Sequence, residues 1–331
     1  MNLGRIGSPV SERIAGIHHV TAVAGDAQRN HDFYTGALGL RLVKRTVNFD
    51  DPGTYHFYFG DERGRPGTIL TFFPWAGIAR GRPGTGEVCA TSFAVPGDSL
   101  GAWARRLRAA GVAARPVIER FGEPVLAFED PDGMPLELVE AAWAGDARAA
   151  TLAAAPGDSP APAIAGLHSA TLHLRSRERT EALLTATLGL EPAGEEAGRR
   201  RFRGAATGAG TVLDTVESPG APRGDLGAGS VHHIAWRTRD DAAQAEWLER
   251  LPNLGLRVTP VQDRQYFRSI YFREPGGVLF EIATDPPGFA TDETSDRLGE
   301  ALKLPPWLEP DRAKIERALP PLDTHRAVGG R

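Results

Sequence analysis

The sequence predicts an α+β fold made of four copies of one βαβββ module. Residues 16–40 recur at a shift of 150 as residues 166–190, with eight of 25 positions identical and the same Leu-Gly-Leu ending. The pattern F-x-x-P-x-G-x-x-x-E occurs at 128–137 and again at 272–281. Because these two repeats fall in different parts of the chain, four related units explain them better than two.

Each module begins with a short apolar strand, and the four opening strands are GIHHVTAV, VCATSFAV, GLHSATLHL and VHHIAWRT. An amphipathic helical pattern follows each of them, and three further strands, with turn signals such as DPDG and EPGG, complete the unit. The stretch 141–163 is rich in Ala, Pro and Gly and predicts a linker. We therefore expect an N-terminal domain of residues 1–150 and a C-terminal domain of residues 151–331, the latter with one short tail helix within 304–322.

Composition places the chain among globular proteins and excludes several functional classes. Of 331 residues, 41% are apolar and 24% are charged, and the net charge of −4 offers no basic face for nucleic acid. The single cysteine, Cys89, excludes an intramolecular disulfide framework and a thiolate-rich metal site. No run of about 18 apolar residues predicts a membrane span, and residues 1–13 lack a signal-peptide pattern. We expect a cytoplasmic protein.

Two histidine doublets, His18–His19 and His232–His233, account for four of the 9 histidines, and both lie in similar β-branched settings. Side chains alternate between the two faces of a strand, so one histidine of each pair faces the interior of a cupped sheet. Alternation with the apolar neighbours assigns His19 and His233 to the more polar, concave face. It assigns Glu281, the acid of the second repeat, to the same interior. His18 and His232 then need a bulge or a twist to reach that space.

The strings HHVTA, HHIAW and FEIAT, together with the module repeat, resemble the vicinal oxygen chelate superfamily over residues 16–286. That superfamily includes glyoxalase I, fosfomycin-resistance proteins and extradiol ring-cleaving dioxygenases. The resemblance implies that two modules pair into a cupped sheet that holds a metal ion. Pairing module one with module four brings His19, His233 and Glu281 together. Pairing two with three offers no histidine, because Ser92 and Ser169 are assigned to the positions that His233 and His19 have in the other pair. Its two acids, Glu137 and Asp214, are expected to face solvent or to pair with arginines.

Two imidazoles and one carboxylate leave positions open for substrate and dioxygen, as in non-haem Fe(II) oxygenases. The split of these ligands between the two ends of the chain is similar to the hydroquinone-cleaving dioxygenases, as are TVNFDDPGTYHFYFGD, VQDRQYFRSIYFREPGG and LPPWLEP. The resemblance implies an Fe(II)-dependent extradiol-type dioxygenase that cleaves a small para-dihydroxy aromatic substrate with dioxygen, with Mn(II) or Zn(II) as alternative metals. It also implies that Arg264 and Tyr271 belong to the active site, with His18 or His232 as the acid–base catalyst.

Two other functions stay open. The first is a glyoxalase-like isomerase, lyase or thiol transferase with the same metal-binding residues; Thr71, in the fourth ligand position, argues against an isomerase because it is a poor metal ligand. The second is a non-catalytic small-molecule-binding protein of the bleomycin-resistance type. The sequence also leaves open the ring substituents and the formation of a homo-oligomer. The aromatic candidates for the cavity wall are Phe49, Tyr55, Phe57, Phe202, Trp236 and Phe267.

Overall fold

The computed structural model describes residues 13–149 and 161–324. Its strands are β1 Ile17–Ala24, β2 Arg41–Asn48, β3 Asp51–Gly60, β4 Ile69–Pro74, β5 Glu87–Val95, β6 Ile118–Arg120, β7 Glu123–Glu129, β8 Pro135–Glu140, β9 Gly166–Leu174, β10 Glu191–Glu196, β11 Arg199–Arg203, β12 Val212–Glu217, β13 Val231–Thr238, β14 Gln262–Asp263, β15 Arg268–Arg273 and β16 Leu279–Thr284. Its α-helices are α1 Ala27–Asp32, α2 Leu100–Ala109, α3 Glu178–Ala182, α4 Asp241–Asn253 and α5 Arg312–Ala318. Short 3₁₀ segments lie at Ala142–Ala149, Phe289–Thr291 and Glu309–Asp311.

The strands form two eight-stranded sheets, and each sheet combines two modules. The first, in the order β14-β15-β16-β13-β1-β4-β3-β2, joins module one (17–74) to module four (231–284). The second, in the order β10-β11-β12-β9-β5-β8-β7-β6, joins module two (87–140) to module three (166–217). The predicted α+β fold of paired βαβββ modules is confirmed. Each sheet takes strands from both sides of the linker; the domain division at 150/151 stays a prediction, and linker residues 150–160 lie outside the described residues.

A pair of β-bulges lies at the centre of each sheet, where its two modules meet. In the first sheet β1 runs antiparallel to β13, and the pairing shifts by one residue at His18 on β1 and at His232 on β13. In the second sheet, shifts of the same kind occur at Cys89 on β5 and at His168 on β9. A bulge adds a residue to one strand and re-aims its side chain. Both histidine doublets therefore have the bulge that strand alternation required.

The predicted helices are present, and those of modules one and three share an ending that the sequence did not predict. α1 and α3 each continue into a single π-helical turn, Phe33–Ala37 and Leu183–Thr187. Apart from smaller clusters, one of which includes Tyr58 and Phe267, the buried apolar side chains of the helices and strands form one large core. Among its fully buried helical side chains are Tyr34, Trp103, Leu184 and Trp247.

The C-terminal tail holds one short helix, as predicted, and lies against module one. Leu302 pairs with Arg45 of β2, and α5 contacts β3. The Tyr55 hydroxyl donates to the carbonyl oxygen of Pro320 at 3.1 Å. Within the described part of the chain, no helix has both the length and the apolar character that a membrane crossing needs.

Candidate metal centre

Three buried side chains from three adjacent strands converge on the concave face of the first sheet, which we call the first cup. His19 lies on β1, His233 on β13 and Glu281 on β16. Oε2 of Glu281 lies 2.8 Å from Nε2 of His233 and 3.4 Å from Nε2 of His19. One ligand atom from each residue lies within 4.8 Å of the other two. The structure thus brings together the three residues that the sequence selected as candidate metal ligands.

Unpaired atoms in this cluster fit a divalent metal ion. Nε2 of His233 and Oε2 of Glu281 are buried, and apart from their 2.8 Å contact with each other neither has a hydrogen-bond partner among the described residues. An unpaired buried polar atom costs about 1–3 kcal/mol, and a bound cation would satisfy both atoms. The other carboxylate oxygen of Glu281 accepts a hydrogen bond from Ser269, which fixes the carboxylate plane. Two imidazole nitrogens and one carboxylate oxygen suit Fe(II), Mn(II) or Zn(II).

The bulged histidines orient the two candidate ligand imidazoles. Nδ1 of His18 lies 2.9 Å from Nδ1 of His19, and Nδ1 of His232 lies 2.7 Å from Nδ1 of His233. A ligand imidazole that offers a bare Nε2 carries its proton on Nδ1, so His19 and His233 donate and their neighbours accept. His18 is enclosed, whereas His232 lines the cavity that adjoins the cluster. The structure therefore separates the two acid–base candidates.

The surroundings favour the protonation states that metal binding needs. Burial lowers the pKa of His233, against the opposing effect of Glu281. Burial, with a contribution from His233, lowers the pKa of His232 to about 3. Burial alone would raise the pKa of Glu281, but His19 and His233 hold it well below its usual value. The neutral imidazoles of His232 and His233 are therefore favoured, next to an ionised carboxylate.

A cavity of about 260 Å³ adjoins the three residues. A cavity of about 150 Å³ is enough to bind benzene, so this space accommodates one substituted aromatic ring. Its wall combines aromatic rings with a few polar groups, as is usual for small-molecule sites. Besides the three candidate ligands, the wall consists of Asn48, Phe49, Asp50, His56, Tyr58, Phe73, Trp75, His232, Arg264, Phe267 and Tyr271.

Arg264 and Tyr271, both predicted site residues, lie on one wall of this cavity. The Tyr271 ring lies 5.7 Å from the ring of His233. Nε of Arg264 donates to the Tyr271 hydroxyl at 3.2 Å, and Nη1 donates to Asp50 at 3.0 Å. Burial would lower the pKa of Arg264, but Tyr271 and Asp50 raise it above its usual value. A permanent positive charge therefore lines the cavity, where it can stabilise an oxyanion.

His56 and Tyr58, which were not predicted from the sequence, line the opposite wall. The Tyr58 hydroxyl lies 3.0 Å from Nδ1 of His56, and Nε2 of His56 lies 2.9 Å from Oγ1 of Thr71. Residues 56 and 58 share one face of β3, but alternation alone does not show that this face is the one toward the cup.

The aromatic candidates for the cavity wall were partly wrong. Phe49 and Phe267 line the cavity. The other four belong to the main apolar core, because alternate strand positions face away from the cup or because the residue lies in the second sheet: they are Tyr55, Phe57, Trp236 and Phe202.

The concave face of the second sheet, which we call the second cup, holds carboxylates that are paired with arginines, as expected. The two oxygens of Glu137 accept hydrogen bonds from Arg120, each at 2.9 Å. Asp214 accepts from Nε of Arg201 at 2.9 Å. These carboxylates therefore already have cationic partners, which distinguishes them from Glu281.

The assignment of Ser92 to the position of His233 was wrong by two residues. Ser92 pairs with Glu137, whereas Ala235 pairs with Glu281. The counterpart of His233 in the second cup is therefore Ala90, and Ser92 instead donates to Glu137 at 2.7 Å.

The model of the Glyoxalase/Bleomycin resistance protein/Dioxygenase superfamily matches residues 16–138 and 143–282. The chain belongs to this superfamily. A Bacillus subtilis protein named "Putative ring-cleaving dioxygenase MhqO" is 50% identical over 314 residues, which cover 95% of this chain and 98% of that protein. The chlorohydroquinone/hydroquinone 1,2-dioxygenase of Sphingobium indicum is 37% identical over 323 residues, with coverage of 93% and 97%.

Solved structures agree on the fold. A "putative dioxygenase" from Bacillus subtilis has a TM-score of 0.89 at 49% sequence identity, covering 96% of this chain and all of that one (100%). Glyoxalase I from Zea mays has a TM-score of 0.61 at 18% identity, covering 82% of this chain and 92% of that one, which indicates a common fold alone. The chain is thus a homologue of ring-cleaving dioxygenases, in a superfamily where one fold supports several activities.

Proposed function

We propose that the chain is an Fe(II)-dependent ring-cleaving dioxygenase of the extradiol type that acts on para-dihydroxybenzenes. The observation that carries the proposal is the convergence of His19, His233 and Glu281, with unpaired ligand atoms, beside a cavity sized for one aromatic ring. Three protein ligands leave other positions on the ion open for substrate and dioxygen. The relative named as a hydroquinone dioxygenase supports the substrate class.

His19, His233 and Glu281 would hold the Fe(II) ion, which when bound would supply the redox chemistry between the substrate and dioxygen. Arg264 holds the ionised substrate oxygen, and loss of such a donor typically costs about 2.7–4 kcal/mol of barrier. His232 is the acid–base group, because it lines the cavity. With its Nδ1 accepting from His233, it carries its proton on Nε2, where it can donate a hydrogen bond to an oxygen that becomes negative.

His18 has a different task from His232. Its Nδ1 faces His19, and a second hydrogen bond ties it to the backbone of Thr284. Burial, followed by the effect of His19, lowers its pKa well below the usual value. It therefore stays neutral and positions the His19 imidazole.

Thr71 distinguishes this proposal from a glyoxalase-like isomerase. Its hydroxyl is engaged by Thr21 at 2.9 Å and by His56 at 2.9 Å, so the fourth ligand position offers no carboxylate and no spare hydroxyl. An open coordination site suits an oxygenase better than a four-ligand isomerase. The identity of the metal, the cytoplasmic location and a homo-oligomer stay predictions.

Oxygen uptake tests the proposal. Protein loaded anaerobically with Fe(II) should consume dioxygen in equimolar amounts with methylhydroquinone, and the Arg264→Ala variant should lose about 100-fold or more in kcat. Elemental analysis of the same preparation gives the iron content. If fully iron-loaded protein takes up no oxygen across a panel of hydroquinones, the proposal is wrong. Binding of those hydroquinones without turnover would then favour a small-molecule-binding protein.

A further inference from the structure

The pseudo-twofold symmetry of the first cup relates Tyr58 to Tyr271. Tyr271 pairs with Glu281 across β15 and β16, and Tyr58 pairs with Thr71 across β3 and β4. β16 lies next to β13 and β4 lies next to β1, the two strands that carry the candidate ligand histidines. Both tyrosines line the cavity, one on each wall. The positions are equivalent, but the hydrogen bonds at the two hydroxyls differ.

A chain of hydrogen bonds fixes the direction of the Tyr58 hydroxyl. Oγ1 of Thr71 donates to Oγ1 of Thr21, so it must accept from Nε2 of His56. With its proton on Nε2, His56 has a bare Nδ1, which accepts from the Tyr58 hydroxyl at 3.0 Å. The remaining lone pairs of the Tyr58 oxygen can accept a hydrogen bond from a group in the cavity. Burial raises the pKa of Tyr58 well above its usual value, so the phenol keeps its proton.

The wall of Tyr271 has the opposite polarity. There the Arg264 guanidinium donates to the tyrosine oxygen and lines the cavity as a positive charge, with the exposed Asp50 carboxylate as its ionic partner. One wall therefore offers cationic donors beside the candidate metal ligands, and the other offers an acceptor. A ring with an ionised oxygen at one end and a neutral hydroxyl at the opposite end matches this arrangement.

We propose that the Tyr58 hydroxyl, oriented by His56, accepts a hydrogen bond from the second hydroxyl of the substrate and thereby selects para-dihydroxybenzenes bound as monoanions. The inference rests on the proposed function and adds the group that recognises the distal end of the ring. An ortho-diol places both oxygens at the metal end and leaves Tyr58 without a partner. A site built to pair with a hydroxyl discriminates against ligands that lack it, because its own polar group is then left unpaired.

Anaerobic binding of two ligands of nearly equal shape tests the proposal. Titration calorimetry of the Fe(II)-loaded protein gives the dissociation constants of hydroquinone and of 4-methylphenol, which has a methyl group in place of the second hydroxyl. Tyr58→Phe should lower the preference for hydroquinone about tenfold relative to the unaltered protein. Tyr55→Phe is the matched control, because it also removes a tyrosine hydroxyl from β3. That hydroxyl donates to Pro320 outside the cavity. Tyr55→Phe should leave the preference unchanged.

Two further results decide the role of His56 and separate this proposal from the proposed function. His56→Leu should raise KM for hydroquinone several-fold more than it lowers kcat, and His56→Gln, which keeps an acceptor for Tyr58, should restore much of the loss. If the unaltered protein turns over hydroquinone but Tyr58→Phe changes the preference for hydroquinone over 4-methylphenol by less than twofold, this inference alone is wrong. Absence of hydroquinone turnover by the unaltered, iron-loaded protein overturns the proposed function and this inference with it.

Discussion

The two cups of the molecule have the same strand order and the same pair of central bulges, but they pair their buried carboxylates differently. In the first cup, Glu281 lies next to two imidazoles and has one oxygen without a hydrogen-bond partner among the described residues. In the second cup, the register counterpart Glu137 binds Arg120 through both oxygens. The backbone is therefore common to both cups, and the difference in chemistry lies in what surrounds the carboxylate.

The cavity wall shows the same contrast. Where the first cup has Tyr58 next to Thr71, the second has Arg201 next to Asp214. A guanidinium in this position pairs with the acid and neutralises its charge. A buried carboxylate without a cation is costly, whereas a paired one is not. We therefore expect the first cup, which can bind a cation, to be less stable without metal than the second cup, where arginines pair with the acids.

The largest expected effect is the loss of metal from the first cup. His19→Ala should weaken Fe(II) binding by more than about 100-fold, because loss of an outer-sphere partner alone costs 10–100-fold and only two ligands remain. His233→Ala should do the same. Elemental analysis after anaerobic loading and desalting measures the iron content.

Ser169→Ala is the matched control, because Ser169 lies in the second sheet at the position that His19 has in the first. It should retain the iron content of the unaltered protein. Stoichiometric iron in His19→Ala or His233→Ala would show that the metal ligands lie elsewhere and that the distinction between the cups is wrong.

The next expected effect concerns the free energy of unfolding, and here a substitution in the second cup should have the larger effect. Glu137→Gln should lower the free energy of unfolding by about 3 kcal/mol, because it leaves the largely buried Arg120 guanidinium (15% exposed) beside a neutral amide. Glu281→Gln in the metal-free protein should change it by less than about 1 kcal/mol, because an amide keeps its polar neighbours His19, His233 and Ser269 and leaves no arginine unpaired. Urea denaturation of both variants at pH 7 without metal measures the difference. Equal losses would mean that the imidazoles pair with Glu281 as cations.

The repeats explain how much of this comparison could be predicted from the sequence. The sequence repeat between residues 16–40 and 166–190 indicated the modules. The histidine doublets and Glu281 indicated which modules pair around a metal. Ser92 was misplaced for a physical reason. Side chains in a strand alternate with a period of two, so a shift by two residues leaves the same face toward the cup, and the second cup has no histidine doublet to fix the register.

His56 and Tyr58 could not be selected by alternation alone. The strand TYHFYFG carries large aromatic side chains on both faces, so the usual contrast between an apolar and a polar face is absent. The bulges at His18 and His232 depend on how β1 and β13 pair, which is a long-range property. Local patterns indicated that both His18 and His232 need a bulge or a twist, but not which of the two each strand would have.

The smallest expected effect is a pH dependence that belongs to the second cup. Glu123 accepts hydrogen bonds from His168 at 3.2 Å and from Arg201 at 2.5 Å. Burial would raise the pKa of Glu123, but these partners lower it to about 2. A carboxyl whose pKa is lower in the folded state stabilises the fold fully above its unfolded value of 4.5, and this contribution is lost as the pH falls toward 2.

Glu123→Gln should therefore cost on the order of 2 kcal/mol at pH 7, after allowance for its partial exposure, and less than half of that at pH 3. Urea denaturation of the metal-free protein and the variant at both pH values measures the change. Tyr271 pairs with Glu281 in the first cup, and Ala127 pairs with Glu137 in the second, so these two positions correspond. Four residues before each of them lie the uncharged Phe267 in the first cup and Glu123 in the second. Acid should thus destabilise the second cup through Glu123 and have no such effect on the first cup through Phe267. If Glu123→Gln lowers the free energy of unfolding equally at both pH values, the contribution of Glu123 does not depend on its charged partners.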